Sequence, residues 1–212
     1  MEKIIAEPIQ KIIDEFKKLP WIWEKTAQKL AFYVVKKDKK FSEEFWKNFF
    51  DLKKNIRECE KCCNYTENIF CNLCEKKNRD EKILCVVENP FDIFPIEKSW
   101  VFNWFYHILH WVISPIDWVF AENLRIEKLL NRIKNSIWNE NISEIILAIN
   151  PSLEGEATSI YIWRKIEEIK NELWVDIKIT TLAKWISVWW DLEYTDELTI
   201  KKSLENRINF FI

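Results

Sequence analysis

Ile83-Leu84-Cys85-Val86-Val87-Glu88 is a continuous apolar run that ends on a carboxylate. A strand with one wet face alternates apolar and polar residues, whereas an unbroken run fits a strand covered on both faces. Ile145-Ile146-Leu147-Ala148-Ile149, within 144–149, repeats the pattern, and Val175–Ile179 gives a third, alternating strand. Between these runs, Glu122–Trp138 and Glu156–Glu172 carry apolar residues at helical spacing. Strand–helix–strand alternation predicts an α/β domain on a parallel sheet.

Outward from this core, the texture changes toward the N-terminus. Residues 57–79 hold four closely spaced cysteines and little else apolar, and residues 4–56 read as helical. Ile5, Ile9, Ile12, Ile13 and Phe16 fall on one helical face. A turn at Leu19–Trp23 interrupts, Lys25–Lys36 resumes with Ala27, Leu30, Ala31 and Val34 inward, and Phe41–Ile56 is a third helical stretch. The expected organisation is a helical region 1–56, a cysteine segment 57–79, an α/β domain 80–177 and a short C-terminal segment 178–212. A chain of 212 residues can bury a sizeable core, and its net charge of -2 requires any nucleic-acid contact to use a local patch. No run of 18 apolar residues predicts a membrane span. The first residues, Met1-Glu2-Lys3-Ile4-Ile5, lack a signal-peptide pattern, so a cytoplasmic location is expected.

The strongest chemical signal is Cys59-x2-Cys62 followed by Cys71-x2-Cys74. Each pair can clamp one side of a metal ion, and four thiolates suit tetrahedral zinc. A complete protein ligand set leaves no open position for water, so the expected zinc is structural. Two disulfides, or iron–sulfur or redox chemistry, are the alternatives; nothing suggests an oxidising compartment. Cys63 and Cys85 lie off the pattern and are expected to pack rather than ligate.

The chain carries 13 Trp and a single Gly. Average usage puts Gly at about 7%, or roughly 15 residues in a chain this long. The two counts together come close to that figure, and several Trp stand where glycine chemistry is demanded. Pro20-Trp21-Ile22-Trp23 reads as a turn, and Trp189-Trp190 stands between a strand-like run and a polar segment. A type II turn has φ > 0 after its proline position, which favours Gly. A gene whose UGA codons mean glycine, translated as if they meant Trp, gives this pattern; a true Trp-rich chain is the alternative. With glycines restored, Leu19–Ala27 becomes a helix-hairpin-helix turn whose backbone N–H groups can approach a phosphate. Lys25 and Lys29, one turn apart, add charge to that face. A dimer-packing hairpin, or a plain helix corner with surface lysines, competes with this reading.

The third signal is acidic. Glu88 ends the first apolar run, Asp92 follows one helical turn later, and Glu97 lies further on. The second run leads into Asn150-Pro151-Ser152-Leu153-Glu154-Gly155-Glu156. Carboxylates at the C-terminal ends of parallel strands converge on the crevice where such sheets bind ligands, and can hold Mg²⁺. Solvated loop acids and an acid-rich helix start are the plainer reading.

Taken in order, these stretches resemble one family, the RecR recombination mediators of bacteria. The matching runs are Leu19–Phe32, Cys59–Cys74, Leu84–Glu97, Tyr106–Asp117, Ala148–Ile162 and Ile179–Asp196, then Arg207. Where such sequences carry Gly, this chain has Trp21, Trp23, Trp100, Trp104, Trp111, Trp118, Trp185, Trp189 and Trp190. Trp174 precedes a strand where Gly is also natural, while Trp46, Trp138 and Trp163 fall outside the matching motifs. Phe120, Thr181 and Lys184 depart from the family pattern.

The resemblance implies a multidomain α/β protein: an N-terminal helix-hairpin-helix, a four-Cys zinc finger, a Toprim (Rossmann-like) domain and a short C-terminal segment. It implies a DNA-binding homodimer or ring-like homotetramer that works with RecO and RecF to load RecA on single-stranded DNA coated by single-strand binding protein. By position, Lys25 and Lys29 become DNA-facing residues, and Glu88, Asp92, Glu154 and Glu156 become the Toprim acidic set, for partner contact or Mg²⁺. The rival is a Mg²⁺-dependent Toprim enzyme that cleaves or synthesises nucleic acid. Such enzymes use a Glu and a later Asp-x-Asp pair; here Asn150-Pro151-Ser152 follows the strand, and no Tyr or Ser stands in a recognisable nucleophile motif.

Overall fold

The computed structural model describes residues 5–98, 102–139, 142–183, 192 and 195–210. Trp100, Lys184, Trp185, Trp189 and Trp190 lie outside the described residues. The chain forms two compact units, Met1–Ile56 and Arg57–Ile212.

In the first unit, α1 (Glu7–Lys17) starts with a proline in its first turn, where the missing N–H costs nothing. The turn after it leads into α2 (Glu24–Lys36). Ile13, Ala27 and Ala31 are the buried centre, with Ile5, Ile9, Ile12, Phe16 and Ile22 packed around them. Two alanines on α2 let the helices approach closely. Helix α3 (Lys39–Asn55) is capped by Asp38, whose Oδ1 accepts the Phe41 N–H at 2.8 Å, yet none of its described residues is buried. Its aromatic residues touch one another instead: Phe45 lies beside Phe41, Trp46 and Phe49.

The second unit begins with a small antiparallel ribbon, β1 (Arg57–Glu58) with β2 (Tyr65–Thr66), followed by α4 (Asn72–Glu75). Then come β3 (Asp80–Val87), α5 (Ile93–Lys98), β4 (Trp104–Ile108), α6 (Ile126–Asn139), β5 (Glu144–Ala148) and α7 (Leu153–Leu173). The chain finishes through β6 (Lys178–Thr181), α8 (Glu197–Glu205) and β7 (Ile208–Asn209). The sheet order is β4-β3-β5-β6-β7, parallel except for the last pair.

The continuous apolar runs are explained by this layering. Successive strand residues point to opposite faces, and both faces are covered. Leu84, Val86, Ile145 and Leu147 pack in one core with Leu129, Ile133, Ile162 and Ile166 of α6 and α7. Cys85, Val87, Ile146 and Ala148 pack in the other with Ile93, Ile96, Ile200 and Leu204 of α5 and α8. Arg207 fastens the C-terminal end, donating from Nε and Nη2 to Glu144 at 2.6 and 2.7 Å.

Several details differ from the sequence expectation, the following among them. The third strand is Lys178–Thr181 rather than Val175–Ile179, because α7 runs on to Leu173 and Trp174 then turns the chain through a left-handed residue. Helix α6 starts at Ile126, after a tight turn at Ala121–Asn123. Strand β4 is an addition: its five residues are buried, and its polar groups find partners that sequence cannot supply. Tyr106 donates to Glu97 at 2.8 Å, and the His107 ring meets the Arg125 carbonyl at 2.9 Å. Among the described residues no helix is long and apolar enough to cross a membrane.

Candidate functional site

The cysteine cluster is built by two knuckles. Cys59 and Cys62 flank the turn after β1, and Cys71 and Cys74 flank the start of α4. Their four sulfurs lie within 4.8 Å of one another. A tetrahedral zinc with Zn–S near 2.3 Å needs sulfurs roughly 3.8 Å apart, so the quartet fits a structural zinc. The Cys71 N–H points to the Cys59 sulfur at 3.3 Å, and the Asn64 N–H to the Cys62 sulfur at 3.5 Å. Such donors favour thiolates. None of the six cysteines is paired in a disulfide. Cys63 is buried beside the quartet with φ 64°, and Cys85 is buried in β3.

The knuckle is held from both sides. The His110 ring meets the Cys63 carbonyl at 2.6 Å, and His110 has φ 72°. Glu58, beside Cys59, accepts from Arg125 Nε at 2.9 Å and from Lys128 at 3.1 Å, joining the finger to the start of α6. The Arg125 guanidinium holds the Glu58 carboxyl down at about 2. Neither His110 nor this ion pair was part of the sequence expectation, since their partners are 47 and 67 residues distant in the chain.

At the strand ends, Glu88 after β3 and Asn150 after β5 meet directly: Asn150 Nδ2 donates to Glu88 Oε2 at 2.9 Å. Asn150 Oδ1 in turn accepts the Leu192 N–H at 2.9 Å. Asp92 is buried and caps the turn after β3, accepting the Asn89 N–H at 2.7 Å. Glu154 and Glu156 sit in the first turn of α7, where the helix dipole favours acids. Among the described residues, the cysteine quartet is the one group of three or more ligating side chains gathered within 4.8 Å. Glu88, Asp92, Glu154 and Glu156 do not gather into such a group. Glu97 is elsewhere, paired with Arg79 at 2.6 Å.

In the first unit, Lys25 and Lys29 stand exposed on α2, four residues apart and therefore on one face. The turn before them carries Trp21 with φ 64°, a left-handed conformation, and 91% exposure. Trp23 occupies the N-cap position without a side-chain cap and is exposed. Trp118 (φ 59°, 81% exposed) and Trp174 (φ 55°, 93% exposed) repeat the Trp21 geometry. Trp104 differs: it is buried in β4, stacked on Phe102 at 4.3 Å, and its indole N–H has no acceptor among the described residues. Phe120 has φ -109°, so its departure from the family pattern asks for no glycine.

Two family models match this chain: the Toprim domain over residues 82–178 and the C-terminal region of RecR over residues 191–208. The Recombination protein RecR of Staphylococcus aureus strain Newman is 43% identical over 201 residues, covering 95% of this chain and 96% of the relative. The RecR of strain JH9 is 42% identical over the same span. With the cysteine quartet, the parallel sheet and these matches in agreement, the chain belongs to the RecR family.

Proposed function

We propose that this protein is a DNA-binding mediator of recombinational repair, acting in the cytoplasm with RecO and RecF to load RecA on single-stranded DNA. The observation that carries the reading is the similarity to Recombination protein RecR along 95% of the chain. The finer division is a helix-hairpin-helix over 1–56, a zinc finger over 57–79, a Toprim domain over 80–177 and a C-terminal segment over 178–212. Cys59, Cys62, Cys71 and Cys74 hold one structural zinc, which ties the two knuckles together and supplies no open coordination site.

Lys25 and Lys29 contact DNA phosphates from α2. Helix α3, with no buried residue and with Phe49, Phe50 and Leu52 exposed, supports self-association through this unit into a homodimer or homotetramer. Several hairpins around one DNA would then add by multivalency, which suits a chain of net charge -2. Glu88, Asp92, Glu154 and Glu156 serve partner contact. The Toprim fold is compatible with Mg²⁺, but Asn150 at the strand end and the commitment of Asp92 to a cap favour a non-enzymatic role.

We further infer that most Trp of this sequence are glycines in the living protein. Left-handed, exposed backbone at Trp21, Trp118 and Trp174 supports this. UGA codons at these positions, and native peptides over Leu19–Lys25 carrying glycine, are the expected result; peptides with two tryptophans contradict it.

The function is tested with purified protein and DNA. Lys25→Ala with Lys29→Ala should weaken binding and flatten its salt dependence, with zinc content unchanged. Mg²⁺-dependent DNA cleavage that disappears in Glu88→Gln would instead establish the enzyme.

A further inference from the structure

A cleft of about 540 Å³ opens between the cysteine finger and α6, within the size range of sites that take small molecules (about 300–1,000 Å³). Its α6 wall is Lys128, Asn131, Arg132 and Asn135. These positions follow i, i+3, i+4, i+7 spacing, so they share one helix face, while Leu129 and Ile133 turn into the core. The finger wall supplies Lys61, Glu60 and the ring of Phe70, which is 44% exposed. Three cations and one acid, Glu60, thus line the cleft, with Glu58 behind Lys128, in a chain whose net charge is -2.

The cations are positioned rather than loose. Lys61 Nζ stands 4.5 Å over the Phe105 ring. Lys128 is steered by Glu58 at 3.1 Å. Arg132 is anchored by Nη1, which donates to the Tyr106 carbonyl at 2.7 Å, and its buried Nε–H has no acceptor among the described residues. The planar guanidinium fork is the side-chain type suited to a phosphate oxyanion. Glu60 is drawn toward Arg57, 4.0 Å away.

We propose that this cleft is a second nucleic-acid site, taking the phosphodiester backbone of a single strand on Lys61, Lys128 and Arg132, with a base stacked on Phe70. Cations beside an exposed ring are the combination that holds single strands without sequence preference, because every base has a face to stack. The amides of Asn131 and Asn135 add donors for phosphate or base edges. The site rests on the DNA-binding reading above and is separate from the hairpin lysines.

The test measures binding of a fluorescein-labelled oligothymidylate across a salt series. Two cleft variants, Asn131→Asp with Asn135→Asp, and Phe70→Ala, are compared with the unaltered protein and with the Lys25→Ala, Lys29→Ala variant, after zinc content and circular dichroism establish folding. Each cleft variant should bind about fivefold more weakly or worse. The aspartate pair should also flatten the slope of log K against log salt by about 0.7 for each phosphate no longer neutralised. Unchanged affinity and slope in both cleft variants, with weakening in the lysine variant, overturns the cleft and leaves the hairpin reading standing. Weakening in the cleft variants alone supports the cleft and overturns the hairpin assignment. Tighter binding of duplex DNA, indifferent to Phe70→Ala, overturns the single-strand assignment, and no binding by the unaltered protein overturns both readings.

Discussion

At Trp21, Trp118 and Trp174 the backbone sits in the left-handed region with the indole in water. A residue with a Cβ gives up roughly 1–2 kcal/mol there, and an exposed indole returns little of it. Trp21→Gly and Trp174→Gly should therefore each stabilise the protein by about 0.5–1 kcal/mol, part of the relief being offset by the freer unfolded chain. Thermal or urea unfolding checks the sign; destabilisation at both sites contradicts the glycine reading. Gly155 shows the opposite demand, a close approach. A Cβ on it would collide with the Asn150 carbonyl oxygen. Gly155→Ala should cost about 1–3 kcal/mol and disturb the Asn150–Glu88 contact, readable in the same unfolding experiment. Glycine chemistry was legible from sequence at Trp21, where a proline precedes it. It was not legible at Gly155, because the oxygen it approaches is fixed only when α7 packs back over β5.

Among the elements, the finger depends on α6 as well as on its metal. Glu58 links the two through Arg125 and Lys128. Glu58→Gln leaves the cysteines in place but removes the charge that both cations face, and should cost about 1–3 kcal/mol. Faster loss of zinc to a chelator in this variant is the expected companion, since metal binding and local folding are coupled. Equal zinc release rates would show that the finger stands by itself. The cysteine spacing made the quartet readable in sequence, because two short knuckles can close in few ways. The clamp around it was not readable: His110 and Arg125 reach the finger only through the sheet. Strand β4 was missed for the same reason, since Tyr106 and His107 look polar until Glu97 and the Arg125 carbonyl are found beside them.

For the whole molecule, the doubly covered sheet has a pH signature. His107 is fully buried in β4, and burial, helped by Arg132, holds its pKa down at about 3. Above the ordinary histidine pKa near 6.5, neither folded nor unfolded chain takes up the proton. Below it, the unfolded chain binds a proton that the folded chain refuses, so stability falls as pH drops from about 6.5 toward 3. Between pH 7 and 5 the loss from this group should approach about 2 kcal/mol. His107→Phe should show a shallower decline over that range in urea unfolding; an identical decline would place the acid sensitivity elsewhere. The parallel sheet itself was plain in the sequence, because two unbroken apolar runs require two covers. The fate of the acids was not, since Asn150 reads as a missing aspartate until its amide is seen to bridge Glu88 and the Leu192 backbone. That bridge is among the observations that favour the proposed mediator role. The direct measurement is RecA filament formation on single-stranded DNA coated by single-strand binding protein, with RecO and RecF present. Addition of this protein should accelerate loading, and Lys25→Ala with Lys29→Ala should abolish most of the gain while zinc is retained. Loading that is indifferent to the protein, or DNA that is cut in Mg²⁺ and spared in Glu88→Gln, would contradict the account.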